Sequence, residues 1–167
     1  MLNTVALLIF PLLMAYAASS DLLTMRISNY LVLGMVVAFA IVAMLSGMSL
    51  EQFGLHFACS ALVLIGAFAF FSFGWIGGGD AKLAAATSLW LGFGLTLPYL
   101  VYAALLGGAL TLMILALRRL PLTPVIARIT WINRLHNQTA GIPYGIALAA
   151  SGLITYSETG IFQHFVA

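Results

Sequence analysis

Charged side chains are scarce in this chain, with six Lys and Arg and four Asp and Glu, or 6% of 167 residues. A soluble domain carries about 25%, so a water-facing surface cannot be built from this sequence. Cysteine occurs once, as Cys59, which excludes a disulfide within the chain and a thiolate metal site. In its apolar run Cys59 is expected as a packed core thiol. The three histidines, His56, His136 and His164, share no metal-ligand spacing on a helix face, and neither a metal nor another cofactor is expected. No basic patch with interleaved aromatics is present, which removes nucleic acid as a partner. The apolar stretch 2–18 lacks a preceding basic region. It is therefore expected to stay as a span, although Ala15–Ser20 imitates a signal-peptide cleavage site in its small residues. No internal repeat or linker interrupts the chain, and its length fits one domain, 1–167.

What remains is apolar. Hydrophobic residues make up 63% of the chain and the mean hydropathy is +1.15. A spanning helix needs about 20 such residues, and six stretches qualify, at roughly 3–20, 29–47, 53–73, 81–97, 98–117 and 141–162. The expected fold is all-α, a polytopic transmembrane helical bundle. Pro98 suits the start of a helix, and Gly92 and Gly94 ahead of it fit a bent end, so the fourth and fifth spans are expected as a tight hairpin. Arg26, Lys82, Arg118, Arg119, Arg128 and Arg134 all fall in the first, third and fifth connections, while the other side holds Glu51 and Glu158 and no Lys or Arg. By the positive-inside rule the basic side is cytoplasmic and both termini lie on the other side of the bilayer. In the long fifth connection, Val125, Ile129 and Ile132 recur at helical spacing beside Trp131, Arg128 and Arg134, which predicts a short interfacial helix.

The four acids divide by position. Glu51 and Glu158 belong to outer connections, where a solvated role is the default. Asp21 and Asp80 lie at the cytoplasmic ends of apolar spans, where an ionisable group faces a cavity or a partner. Hydrolysis of a peptide bond by carboxylates needs such a pair, one ionised to activate water and one protonated to polarise the carbonyl. The helix ends favour Asp80, at a helix start, as the base and Asp21, at a helix end, as the acid. Two plainer roles stay open: Asp80 as the N-cap of a helix beginning at Ala81, and Asp21 paired with Arg26 or Lys82. Three glycines, Gly77, Gly78 and Gly79, precede Asp80 and offer a side-chain-free rim beside which an extended strand fits.

These segments resemble one family. Gly77-Gly78-Gly79-Asp80-Ala81-Lys82-Leu83 is similar to the GxGD-x-K motif of the type IV prepilin peptidases, membrane aspartyl peptidases. The segment from Asp21 through Arg26, Ile27, Ser28 and Asn29 resembles the family's Asp followed by Arg-Ile-Pro-Asn, with Ser28 where proline is usual, a departure that predicts a looser turn. Pro143-Tyr144-Gly145 resembles its Pro-Tyr-Gly segment, with proline suited to the first turn of the last span.

The resemblance implies that Asp21 and Asp80 are catalytic and act on water without a metal. It also implies that the chain cuts the short basic leader from pilin or pseudopilin precursors, just before their hydrophobic N-terminal helix, at the cytoplasmic face of the bacterial inner membrane. Lys82 reads as an interfacial anchor or a charge partner of Asp80. Larger members add a cysteine-rich loop and methylate the new pilin terminus. Without a CxxC pair this chain is similar to the short forms of Tad-type (Flp) pilus systems, and a peptidase without methyltransferase activity is expected. The rival readings are a small transporter with paired carboxylates and a non-catalytic assembly factor.

Overall fold

The first helix shows how the bundle is organised. In α1 (Leu2–Thr24), Ala6, Phe10, Met14, Ala17 and Asp21 are all buried. Their spacing of three and four residues puts them on one face, so Asp21 is the last member of the stripe that α1 turns to its neighbours. These coordinates come from a computed structural model that describes residues 2–166. Met1 and Ala167, the two ends of the expected domain, lie outside the described residues.

The described secondary structure is entirely helical. After α1 come α2 (Asn29–Leu45), α3 (Leu50–Ser72) and α4 (Gly78–Leu117). A 3-10 turn (Ile126–Arg128) then leads into α5 (Thr130–His136), α6 (Gly145–Tyr156) and α7 (Gly160–Val166). Among the described residues, three helices are long and apolar enough to cross a membrane, over Thr4–Thr24, Leu50–Ser72 and Gly78–Leu117, while α2 and α6 are shorter apolar helices.

The expected hairpin is present, but its turn is elsewhere. Gly92 has φ 68 and ψ −178 inside the 40-residue α4, a conformation essentially confined to glycine. There the chain doubles back, giving limbs 78–91 and 93–117. Pro98 therefore lies within the second limb and does not start it. The last predicted span, 141–162, is likewise divided, into α6 and α7, and Pro143 precedes the N-cap Tyr144 instead of entering the first turn. The short helix expected in the long connection is α5, shortened because Ile129 is extended (φ −81, ψ 109) and separates it from the 3-10 turn. Ser28 does not loosen the turn before α2: its side chain accepts a hydrogen bond from the Leu31 N–H at 3.1 Å and caps the helix.

Two cavities sort the connections between the ends of the bundle. One is lined by residues from 25–29, 74–80 and 140–144, the other by residues from 46–48, 90–95 and 158–161. The basic residues Arg26 and Arg118 line the first and Glu158 lines the second. Between them, α4 packs against α3, α6 and α2, and α1 against α6, α2 and α7. Trp90, fully buried, sits at the centre: its Nε1 donates to the Met35 carbonyl at 3.1 Å, and its ring lies 5.1 Å from that of Phe10. In lipid, such contacts hold helices together by close packing, since burying apolar surface gains little there.

Candidate active site

Asp21 reaches the interior because the buried stripe of α1 carries it there, one turn before the helix ends. It is only 5% exposed and needs a partner. The partner is the backbone N–H of Gly145, which donates to Oδ2 at 2.7 Å, so neither Arg26 nor Lys82 fills that place. Gly145 is the first residue of α6, whose positive end thus points at the carboxylate. A Cβ at Gly145 would lie 2.7 Å from Asp21 Oδ2, so the approach depends on glycine. Beyond Asp21, Met25 adopts φ 53 and ends α1. The Ser20 hydroxyl donates to the Arg26 carbonyl at 2.9 Å and folds the turn back on the helix.

Asp80 is the third residue of α4, not its N-cap, which is Gly77. Its carboxylate folds back over that cap, and a Cβ on Gly77 would lie 2.9 Å from Oδ2. The glycine run serves the protein's own packing as well as any ligand. A Cβ at Gly79 would stand 3.3 Å from Ile27, and one at Gly78 3.3 Å from the Phe71 ring. Gly79 lets the start of α4 lie against the turn that follows Asp21. Both carboxylates therefore sit at helix N-termini, Asp80 at that of α4 and Asp21 at that of α6. The dipole argument that separated base from acid no longer distinguishes them.

Asp21 and Asp80 line one cavity of about 1180 Å³, together with Gly77, Gly78, Gly79, Arg26, Asn29 and Tyr144. The structure thus gathers most of the residues singled out in the sequence. Pro143 is buried and off the cavity wall. Lys82 is exposed, and its Nζ donates to Asn29 Oδ1 at 2.9 Å, tying α4 to α2. Tyr144 crosses from α6 to the second limb of α4, its hydroxyl donating to the Ala103 carbonyl at 3.1 Å. Among the described residues, no three His, Cys, Asp or Glu side chains converge as metal ligands.

Arg118 escaped the sequence reading, where it counted only as one of several basic residues. From the end of α4 its guanidinium donates to the carbonyls of Leu135 (2.7 Å), Ala140 (3.0 Å) and Gly141 (2.9 Å), holding the long connection along the cavity. Arg134 anchors the same connection to α1 through the Leu23 carbonyl at 3.0 Å. Hydrogen bonds from a charged donor are worth roughly 1.5–3 kcal/mol each. Arg118→Ala is expected to speed tryptic cutting at Arg128 and Arg134 by about tenfold or more, with Arg118→Lys intermediate. Equal digestion rates for variant and wild type would show that the connection is held by other contacts.

Comparison with curated proteins and with solved structures gives no match. The sequence profile of the type IV leader peptidases, by contrast, matches residues 8–112, a stretch that holds Asp21, Asp80 and the glycines before Asp80. It ends before Tyr144 and Gly145, which complete the site from outside the matched region. A match across most of the chain and through both aspartates leads to one conclusion: the chain belongs to the type IV leader peptidase family.

Proposed function

We propose that this protein is a membrane-embedded aspartyl endopeptidase that removes the short basic leader of pilin or pseudopilin precursors. In this reading one carboxylate of the Asp21–Asp80 pair takes a proton from water as the water oxygen attacks the scissile carbonyl. The other donates a proton to the carbonyl oxygen. Collapse of the tetrahedral intermediate breaks the C–N bond: the proton taken from water goes to the leaving amine, and a hydroxyl of the intermediate returns its proton to the second carboxylate as the new carbonyl forms. The observation that carries the reading is that both carboxylates face a single cavity at the end of the bundle where Arg26 and Arg118 also lie. With the positive-inside rule, that end is cytoplasmic and the protein is a multi-pass component of the bacterial inner membrane. The single cysteine supplies no CxxC pair, so the proposal is confined to peptide-bond cleavage.

The test is cleavage of a type IV pilin precursor by wild type, Asp21→Asn and Asp80→Asn at equal membrane levels. Loss of cleavage in both variants supports the pair, and normal cleavage by either overturns the two-carboxylate mechanism. A wild type inert towards a panel of such precursors would favour a proton or cation relay instead. Gly145→Ala probes the support of Asp21. Its Cβ displaces the carboxylate, and a shift near 1 Å costs on the order of 100-fold in rate. The loss is expected in kcat, with KM little changed. Full activity in Gly145→Ala would mean that the position of Asp21 is not critical.

A further inference from the structure

A third, apolar cavity of about 470 Å³ runs between α3 and the second limb of α4. The two helices touch where Cys59 Sγ meets Thr96 Oγ1 at 3.2 Å. The α3 wall extends from Cys59 to Phe70, about 16 Å of helix. Small side chains form its base: Ala67, Ala84 and Ala103 are buried, and Gly66 opens the α3 wall. One end of this groove is not apolar. Ile76, Asp80 and Tyr144 line both the groove and the polar cavity that holds Asp21, so a single ligand can occupy both.

We infer that this groove receives the apolar helix of the substrate and delivers the adjoining extended segment to Asp80. The inference rests on the peptidase reading and adds the surface that selects the substrate. The joint at Asp80 decides the occupant. An anionic lipid lying in the groove would bring its phosphate against two carboxylates, whereas a peptide brings backbone N–H donors. Glycine and alanine along the base let a helix backbone approach closely, as helix pairing in lipid requires.

Photocrosslinking tests docking without depending on cleavage. Benzoylphenylalanine is placed at Leu97, an exposed groove residue, or at Leu33, also exposed but on α2, in Asp21→Asn protein reconstituted with a type IV pilin precursor. Adducts to the precursor are expected from Leu97 and not from Leu33. Gly66→Leu is expected to cut the Leu97 adduct by about tenfold, the equivalent of 1.4 kcal/mol, by filling the groove. A Cβ at Gly66 meets nothing within 4 Å, and the same holds at Gly34 on α2, so both leucine variants should fold. Gly34→Leu is expected to leave the adduct unchanged. Equal adducts from Leu33 and Leu97, adducts only to lipid or to a second copy of this chain, or insensitivity to Gly66→Leu would each overturn the inference. Wild-type cleavage of the same precursor is measured alongside. Cleavage without a Leu97 adduct overturns the groove and leaves the peptidase, while an adduct without cleavage supports the groove and overturns the peptidase.

Discussion

Asp21→Asn and Asp80→Asn are each expected to lower kcat/KM for precursor cleavage by about 10²- to 10⁴-fold, the range a positioned acid or base contributes, with no loss of inserted protein. The fold should survive because asparagine is nearly isosteric. At position 21 its amide oxygen can still accept the Gly145 N–H that now meets Oδ2 at 2.7 Å. At position 80 the side chain remains in the first turn of α4, beside the Gly77 backbone. The double variant should lose little more than either single one, because members of one catalytic unit are not additive. Asp21→Glu and Asp80→Glu keep the carboxyl group but move it, and should retain a small fraction of activity. Initial rates on a purified precursor, with melting curves for each variant, check all of this. Losses that multiply in the double variant would show two independent roles. Activity falling only in step with melting temperature would show that the acids are structural.

The largest loss of stability is expected at the other end of the bundle. Gly92 combines two demands that alanine cannot meet. Its φ 68 and ψ −178 cost a residue with a Cβ on the order of 1–3 kcal/mol. In addition, that Cβ would stand 2.9 Å from His56 Cε1 and 3.0 Å from Nε2. His56 has little room to retreat, since its Nδ1 lies 2.7 Å from the Leu89 carbonyl oxygen and its ring stacks on Phe39 at 5.3 Å. Together these should make Gly92→Ala less stable by roughly 3 kcal/mol, read as a lower melting temperature of the detergent-solubilised protein. Adding His56→Ala should recover the part due to contact and leave the part due to the backbone. A Gly92→Ala protein that melts with the wild type would mean that the two limbs of α4 reverse in some other way. The consequence reaches the active site, because the limb that ends at Gly92 begins beside Asp80.

Much of this was legible in the residues alone. The apolar stretches, the all-helical class and the sorting of basic residues follow from transfer preferences that depend on residue type and spacing. A lipid-exposed backbone must satisfy its hydrogen bonds internally, so long apolar runs become helices whatever they later touch. Asp21 and Asp80 stood out by the same logic, as acids at the ends of otherwise apolar segments. The position of the hairpin was less legible. Gly92, Gly94 and Pro98 all signal a break, and hydropathy does not say which one supplies the turn.

The sequence by itself determined the helical class, the six apolar segments, the family and the two acids worth testing. Only the tertiary structure decided that the N–H of Gly145, 124 residues from Asp21, holds that carboxylate. It also decided that Gly92 makes the turn over His56, that Arg118 clasps the long connection, and that Asp80 joins a polar cavity to an apolar groove. The difference is physical. Span formation is governed by the solvent each residue meets, which is a local property. Contacts between helices in lipid are governed by where small residues let backbones approach, and that depends on partners far away in the chain.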